Sequence, residues 1–178
     1  VIPTGARTNA EKDFAIYTTG ANHSQYLDIE KVQQFRSTIR WIVPTERLVP
    51  AKMTSFGGMY TVRGYDEYEI VADGGVLASL QYEFDLVRNS QAGEQKTTTN
   101  TDLRKLAPLA FLDFGHSQME DPVAGEEENE TLYSVGLGLI FEIGNNFSGA
   151  LYYGHPLKET DDTRQGKGRL NASAMLRW

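Results

Sequence analysis

The sequence predicts an all-β fold, an antiparallel transmembrane β-barrel of which about seven or eight strands lie in this chain. Several segments alternate apolar and polar residues, which is the period of a strand with one apolar face. No run approaches the roughly 20 apolar residues that a membrane-spanning helix needs, whereas a transmembrane strand needs only about 9–11 residues. Only alternate residues of such a strand must be apolar, so the low mean hydropathy of -0.42 is compatible with a barrel.

The alternation marks the strands in order along the chain. In the run at 76–86 the even-numbered side chains are apolar, and the odd-numbered ones include Ser79, Gln81, Glu83 and Asp85. A soluble sandwich would bury the apolar face against a second sheet, whereas a barrel would turn it to lipid and keep the charges in a wet lumen. The predicted strands lie near residues 14–19, 25–29, 35–43, 76–86, 106–114, 133–143, 147–153 and 169–178.

The lengths of the connections predict an orientation. Outer-membrane barrels have short periplasmic turns and long external loops. With the chain expected to end in the periplasm, the connections at 57–74, 120–130 and 156–168 would be external, and 144–146 would be a periplasmic turn. The connection at 88–105 departs from this rule because it is long, polar and rich in threonine, and we interpret it as an insertion.

Composition and charge disfavour several classes of function. The chain has no cysteine, which excludes disulfides, thiolate metal sites and cysteine nucleophiles, and its net charge of -7 without a basic stripe disfavours nucleic-acid binding. We interpret His23, His116 and His155 as polar-face or loop residues. A serine follows His23 and His116 directly, but a catalytic triad needs a base and an orienting group that meet the serine in space, which adjacency in sequence does not provide. The acidic stretch at 120–130 lacks the spacing of an EF-hand and is expected to be a solvated loop. We therefore predict no enzymatic activity, no cofactor and no metal.

Two short motifs carry the functional prediction. An arginine side chain offers a planar fork of donors, and a carboxylate is its matching acceptor. A loop folded inward would therefore bring an arginine of the first motif to the aspartate of the second, although a solvated arginine and an ordinary wet-face acid are the alternative. The first motif, in a polar loop just after Gly57 and Gly58, is Val62, Arg63, Gly64 and Tyr65, and the second, inside a predicted strand, is Phe111, Leu112, Asp113, Phe114 and Gly115.

In this order the two motifs resemble the VRG(F/Y) and FxDxG motifs of the outer-membrane polypeptide-transporter superfamily. The closer resemblance is to its two-partner secretion branch, the hemolysin secretion/activation (ShlB/FhaC/HecB-like) transporters, and it covers roughly residues 35–178. It implies a sixteen-stranded barrel of which residues 1–178 are the C-terminal portion, with polypeptide-transport-associated (POTRA) domains upstream. The first thirty residues, 1–30, match nothing that we can name. Gln81 stands where the resemblance implies a charged residue, which argues against a second anchor for the loop there.

The resemblance also implies roles for the motif residues. The loop at 57–74 would fold into the barrel lumen, and Arg63 and Asp113 would latch it to the wall in a way that lets it rearrange during transport. The neighbouring motif residues would shape this close approach: Gly64 by turning the backbone, Tyr65 and Phe111 by packing, and Gly115 by leaving room.

The end of the chain carries a further expectation. Apolar and polar residues alternate strictly over 169–178, and the last apolar positions are Leu176 and Trp178. This pattern resembles the C-terminal assembly signal of bacterial outer-membrane proteins, which the barrel-assembly machinery reads. An ordinary last strand that ends in tryptophan is the alternative.

Together these features predict a barrel in the outer membrane of a Gram-negative bacterium that passes an unfolded exported polypeptide from periplasm to cell surface. Its partners would be that secreted polypeptide, outer-membrane lipid and, during biogenesis, the barrel-assembly machinery. One alternative is an assembly or insertion factor of the same superfamily, since both kinds of protein share the motifs. A second is a small structural or adhesive outer-membrane barrel closed by these strands alone.

Overall fold

The structure, a computed structural model, describes residues 7–92, 102–160 and 163–178. No helix in these ranges is long and apolar enough to cross a membrane. The strands there are β1 (Ile16–Tyr26), β2 (Gln33–Pro44), β3 (Thr54–Phe56), β4 (Ile70–Ala72), β5 (Gly74–Phe84), β6 (Leu103–Gln118), β7 (Asn129–Ile143), β8 (Phe147–Pro156) and β9 (Arg169–Leu176), with a 3-10 turn at Pro50–Lys52 and one helix, α1 (Leu86–Ala92).

Seven of the strands form one antiparallel sheet in the order β1-β2-β5-β6-β7-β8-β9. Each strand pairs with its neighbours along the chain, apart from the small β3–β4 hairpin that stands outside the sheet. The predicted all-β, antiparallel fold is therefore confirmed. Strands β1 and β9 are the two edges of the sheet, so its described strands do not close into a ring.

Near the N-terminus the strand prediction was wrong in detail. The two strands expected near 14–19 and 25–29 are one continuous strand, β1, which pairs with β2 along its whole length. The residues after Tyr26 turn instead of extending, because the Asp28 carboxylate accepts hydrogen bonds from the backbone N–H groups of Val32 at 2.8 Å and Gln33 at 2.6 Å. An aspartate that bonds to the backbone a few residues ahead favours a turn over a strand.

The connection between β5 and β6 and the end of the chain also differ from expectation. The segment at 88–105 was interpreted as an insertion, but its first part belongs to α1, which the Asp85 carboxylate caps through the N–H of Val87 at 3.0 Å. Residues 93–101 of that segment lie outside the described residues. Strand β9 ends at Leu176, before the predicted end, and Trp178 lies fully exposed beyond it.

The two faces of the sheet differ in burial, as strand β6 shows. Phe111, Asp113 and Gly115 are buried on one face, whereas Leu112 between them is 53% exposed on the other. The exposed face is largely apolar across the sheet, which is the character of a barrel surface that faces lipid. Its large exposed side chains include Ile39, Trp41, Leu80, Tyr82, Leu112, Tyr133, Leu137, Tyr153 and Leu170.

The two ends of the sheet carry different connections. At one end, here called the loop end, lie the long segments 45–73, 119–128 and 157–168. At the other, called the turn end, lie the turns at 27–32 and 144–146 and the helix α1. This division into long and short connections matches the one that the sequence predicted, including the long connection between β5 and β6 at the turn end.

A buried arginine ties three segments together at the loop end. Arg47 is 1% exposed, and its Nη1 and Nη2 donate to the two carboxylate oxygens of Glu126 at 2.7 Å each. Its Nε donates to the carbonyl of Thr8 at 2.8 Å. Glu126 lies in the stretch at 120–130 that was expected to be a solvated loop, so that expectation was wrong for this residue. The hydrogen bonds from Arg47 lower the pKa of the Glu126 carboxyl to about 2.

A buried aspartate completes this arrangement beside the arginine. The carboxylate of Asp73, immediately before β5, accepts hydrogen bonds from the backbone N–H groups of Leu48 and Glu120, each at 2.9 Å, and forms an ion pair with Arg7. The base of the loop that follows β2 is thereby joined to the loop that follows β6. Because each buried charge has a partner, the cluster avoids the large cost of an isolated buried ion.

Acidification should loosen the 119–128 loop only well below neutral pH. The folded pKa of Glu126 is lowered from 4.5 to about 2, so its stabilisation is present above about 4.5 and is lost as pH falls through about 2. The chain has no native cysteine, so a spin label on Ala124→Cys reports the mobility of this loop. We expect mobility to rise between pH about 4.5 and 2, and Glu126→Gln to make the loop mobile at pH 7. Glu128→Gln, at an exposed neighbour, is the control, and a transition near pH 6–7 would contradict the assignment.

Candidate functional site

The loop at 57–74, here called the motif loop, packs against the inner face of the sheet and does not extend away from it. Val62 is fully buried and Tyr65 is 1% exposed. Their side chains join residues of β3, β4, β5 and β7 in one apolar cluster, so the loop contributes to the core of the molecule. The cluster consists of Phe56, Val62, Tyr65, Ala72, Leu77 and Leu132.

The arginine and the aspartate of the two motifs form a buried, two-pronged ion pair. Arg63 Nε donates to Asp113 Oδ2 at 2.7 Å, and Nη2 donates to Oδ1 at 2.8 Å. The backbone N–H of Arg63 also donates to Oδ2 at 3.0 Å, and the hydroxyl of Ser79 donates to Oδ1 at 2.6 Å. Asp113 therefore accepts four hydrogen bonds in a site closed to solvent, three of them from one residue of the motif loop. Bidentate pairs of this kind are geometrically specific as well as strong.

The remaining faces of the guanidinium are also occupied. Arg63 Nη1 donates to Gln81 Oε1 at 2.9 Å, and Nη2 donates to the hydroxyl of Ser79 at 3.1 Å. Its Cζ lies 3.6 Å from the ring centroid of Phe111 and 4.9 Å from that of Tyr152, within the range of cation–π attraction. The expectation that Gln81 offers no second anchor was therefore wrong. A neutral amide oxygen can accept a hydrogen bond from arginine in the same geometry as a carboxylate oxygen.

Tyr65 joins the motif loop to two further segments. Its hydroxyl lies 2.9 Å from the carbonyl of Tyr133 in β7 and 3.0 Å from the carbonyl of Lys158 beyond β8. A phenol has one proton, so it donates to one carbonyl at a time, while it accepts a hydrogen bond from the N–H of Lys158 at 3.2 Å. Burial raises the pKa of the Tyr65 phenol, so the hydroxyl keeps its proton at neutral pH.

Three glycines allow the backbone of the motif loop to approach the wall. Gly64 has φ +103°, a conformation that other residues rarely adopt, and a Cβ there would lie 2.8 Å from the carbonyl carbon of Gly154. A Cβ on Gly154 in β8 would lie 2.5 Å from the nitrogen of Gly64, and one on Gly115 would lie 2.8 Å from Val62. Sequence analysis assigned no role to Gly154, because only the fold shows that β8 lies under the loop.

A second group of contacts ties the motif loop to the connection between β8 and β9. The Glu69 carboxylate accepts a hydrogen bond from the backbone N–H of Thr163 at 3.0 Å and contacts the hydroxyl of Thr160. Asp66 forms an ion pair with Arg169 at the start of β9. The sequence contained no signal for these pairings, because acidic and hydroxyl residues are common in external loops.

The two C-terminal apolar residues and the adjacent His116 and Ser117 take no part in the ion pair. Leu176 and Trp178 are at the turn end, remote from the motif loop. His116 Nδ1 lies 2.9 Å from the hydroxyl of Thr131 on the next strand, and Ser117 contacts the carbonyl of Glu130 instead of the histidine. Among the described residues, no group of three or more histidine, aspartate or glutamate side chains is arranged to hold a metal ion.

A cavity of about 610 Å³, lined by polar and apolar groups, lies beside the ion pair on the inner face between β1, β2, β5 and the motif loop. Arg63 and Asp113 are part of its wall, so a displacement of the motif loop would enlarge it. The cavity offers no cluster of nucleophilic or metal-ligating groups, and its lining is suited to water or to peptide groups. Besides the ion pair, the lining residues include Thr18, Asn22, Thr38, Arg40, Tyr60, Thr61 and Ser79.

The chain matches one known protein family over most of its length. A family model described as haemolysin secretion/activation protein ShlB/FhaC/HecB matches residues 3–141. The matched range extends from before β1 into β7 and contains both motifs, so it covers well over half of the chain. The searches of curated proteins and of solved structures returned no match. The resemblance stated from the two motifs is confirmed by the family model, but its stated extent was wrong. The match begins at residue 3, so it includes most of the residues 1–30 that were expected to match no family, and it ends at residue 141 instead of 178.

A methyl group on Gly154 should displace the motif loop from the inner face of the sheet. A Cβ there meets the backbone of Arg63 and Gly64 at 2.5–2.7 Å, and backbone atoms cannot rotate away, so we expect a cost of about 1–3 kcal/mol. Gly154→Ala should therefore speed tryptic cleavage after Arg63, measured on the purified folded protein. Gly149→Ala in the same strand is the control, since its Cβ meets the Phe141 ring at 2.5 Å and the carbonyl oxygen of Ser173 in β9 at 2.8 Å but no atom of the motif loop. Equal cleavage rates in both variants would show that Gly154 does not hold the loop in place.

Proposed function

Since the chain belongs to the haemolysin secretion/activation protein family ShlB/FhaC/HecB, we propose that it translocates an unfolded exported polypeptide from the periplasm to the cell surface. The family is one of secretion and activation transporters, not of enzymes. The strands would form part of a barrel in the Gram-negative outer membrane, with the exposed apolar face toward lipid and the buried face toward the lumen.

The observation that carries this proposal is that the ion pair between Arg63 and Asp113 holds the motif loop against the inner face of the sheet. In the proposed mechanism the motif loop obstructs the polar path along the inner face while the ion pair is formed. A buried ion pair adds little net stability relative to a well-packed apolar contact, because desolvation offsets much of the attraction. The bidentate hydrogen bonds of the pair do, however, fix one position of the motif loop relative to β6. The pair is therefore suited to a latch that defines the closed state without making it permanent.

The orientation of the proposed barrel follows from its two ends. The loop end would face the exterior and the turn end the periplasm, as is usual for outer-membrane barrels. The exported polypeptide would then enter at the turn end and leave past the motif loop. Leu176 and Trp178, at the periplasmic end, would serve the barrel-assembly machinery during biogenesis, and the exposed apolar side chains would contact lipid.

An assembly or insertion factor of the same superfamily is the second candidate. The feature that favours it is β9, which lies at an edge of the sheet and could pair with the strand of another barrel. The third candidate, a small barrel closed by these strands alone, gains no support from a sheet whose edge strands are β1 and β9.

Removal of the gene should distinguish the first two candidates. For a dedicated transporter we expect one or a few large polypeptides to disappear from the secreted proteome, while other outer-membrane barrels keep their abundance. The measurement is quantitative proteomics of the culture medium and of the outer membrane, with and without the gene. A general fall in outer-membrane barrels would contradict the transporter proposal and favour the assembly factor.

The latch itself predicts a non-additive pair of substitutions. Arg63→Ala and Asp113→Ala should reduce secretion to a similar degree, because each strands the other charge in a buried site at a cost of about 3–5 kcal/mol. The double variant should be no worse than either single one, since contacting residues couple. Secretion of the exported polypeptide is measured after the amount of folded barrel has been equalised.

The control for this pair is Arg88→Ala. It removes a half-exposed side chain that lies 3.5 Å from the Asp85 carboxylate at the turn end, away from the latch. The buried Asp85 keeps its hydrogen bonds to the backbone N–H groups of Val87 and Arg88, so secretion should change little. Additive losses for Arg63→Ala and Asp113→Ala would mean that the two residues do not act as one unit.

A further inference from the structure

A second group of charges lies on the same inner face, closer to the turn end than the Arg63–Asp113 pair. Glu83 in β5 is 2% exposed and its Oε2 accepts a hydrogen bond from Lys105 Nζ at 2.9 Å. Its other oxygen, Oε1, lies 3.1 Å from Arg36 Nε, an ion pair across the β2–β5 boundary. One buried carboxylate therefore serves two cations, on the strands to either side of its own.

Gln81 connects this group to the latch. Its side-chain oxygen accepts the hydrogen bond from Arg63 Nη1 at 2.9 Å, and its side-chain nitrogen donates to Glu83 Oε1 at 2.9 Å. The two neighbours fix the orientation of the amide, because a flipped amide would point hydrogens at a guanidinium and its oxygen at a carboxylate. A carboxylate at this position would satisfy Arg63 but would repel Glu83, whereas an amide has both an acceptor for the cation and a donor for the anion.

The network continues beyond Glu83 toward the edge of the sheet. Arg36 Nη2 donates to Gln34 Oε1 at 3.0 Å, and Gln34 Nε2 donates to the hydroxyl of Ser24 in β1 at 2.7 Å. A continuous chain of polar contacts thus runs from Asp113 in β6 across β5 and β2 to β1. It descends the inner face from the level of the motif loop to the turn end.

We propose that Gln81 is a positioning residue that couples the Arg63–Asp113 latch to the charge cluster of Glu83, Lys105 and Arg36. This inference rests on the proposed transport function. A hydrogen-bonded Glu83 holds the amide with its oxygen toward Arg63. A polypeptide segment that enters at the turn end could bind Glu83 through backbone N–H groups or a basic side chain of the segment. It would then compete with Gln81 for the Glu83 carboxylate. The amide then loses its fixed orientation, and Arg63 loses one of its acceptors. Arrival of the exported chain would in this way weaken the latch before the chain reaches the motif loop.

The test reads the latch directly, as the opening frequency of the full-length protein in planar lipid bilayers. Gln81→Leu removes both hydrogen bonds and should raise the opening frequency roughly tenfold, the scale expected for a hydrogen bond to a charged group. Glu83→Gln keeps the shape but removes the charge that orients the amide, and it should raise the opening frequency roughly threefold or more. Gln91→Leu, which removes the carboxamide of an exposed glutamine in α1 outside this network, is the control and should leave the opening frequency unchanged.

The decisive comparison is Glu83→Gln in two backgrounds. If Gln81 carries the coupling, the effect of Glu83→Gln disappears when position 81 is already leucine. If the effect persists undiminished, Glu83 acts on Arg63 through space and the coupling role of Gln81 is overturned. Gln81→Met, an unbranched side chain of similar length, takes the place of Gln81→Leu if the leucine variant does not show the heat-modifiable band of a folded barrel.

The same recordings separate this inference from the proposed function. If Arg63→Ala and Asp113→Ala raise the opening frequency and Gln81→Leu does not, the coupling is wrong and the latch stands. If Arg63→Ala leaves the opening frequency unchanged, the latch itself is wrong, and the coupling falls with it.

Discussion

The arrangement of the whole inner face depends on one buried carboxylate, that of Asp113. Taken out of water without partners, it would destabilise the fold by several kcal/mol, at a rough estimate. It is satisfied by Ser79 on the neighbouring strand and by three donors of Arg63, a residue that lies 50 positions earlier in the chain. Because three of its four hydrogen bonds come from Arg63, the carboxylate is satisfied only when the motif loop is folded inward. The positions of Val62 and Tyr65 in the core follow from that constraint.

The loop end shows a second solution to the same physical problem. There Arg47 and Asp73 are buried among loops and not within the sheet, and each is matched by charges and backbone groups from several segments. This cluster holds the chain at Leu48, before the motif loop, and at Asp73, where the loop ends, while the Arg63–Asp113 pair holds the loop in between. The Tyr65 hydroxyl and the Glu69 carboxylate add further contacts to this loop, so a change of state at Arg63 need not unfold the rest of it. The proposed latch needs this division, because the closed form must be specific and the barrel must survive its opening.

Regular alternation accounts for what could be predicted of the fold. Six strands, β2 and β5 to β9, were located because their apolar residues recur at every second position. The face on which Asp113 lies followed from its neighbours Leu112 and Phe114. The prediction failed where local chemistry overrode the alternation. At the first hairpin, Asp28 bonds to the backbone ahead of it and turns the chain. After β5, Asp85 caps a short helix. In both cases a carboxylate accepts hydrogen bonds from backbone N–H groups that would otherwise bond to a neighbouring strand. The alternation of apolar and polar residues carries no information about such bonds.

The sequence by itself determined the strand order along the chain, the orientation of each strand's faces and the identity of the two motifs that belong together. These are local properties, set by the period of a strand and by a few side chains of distinctive chemistry. Only the tertiary structure decided the partners of those side chains. Gln81 accepts from Arg63 and donates to Glu83 because β5 and the motif loop meet at one depth of the wall. Gly154 is needed because β8 passes beneath the loop. Such contacts join residues far apart in the chain, and a hydrogen bond depends on distance and direction in space, which spacing along the sequence does not encode.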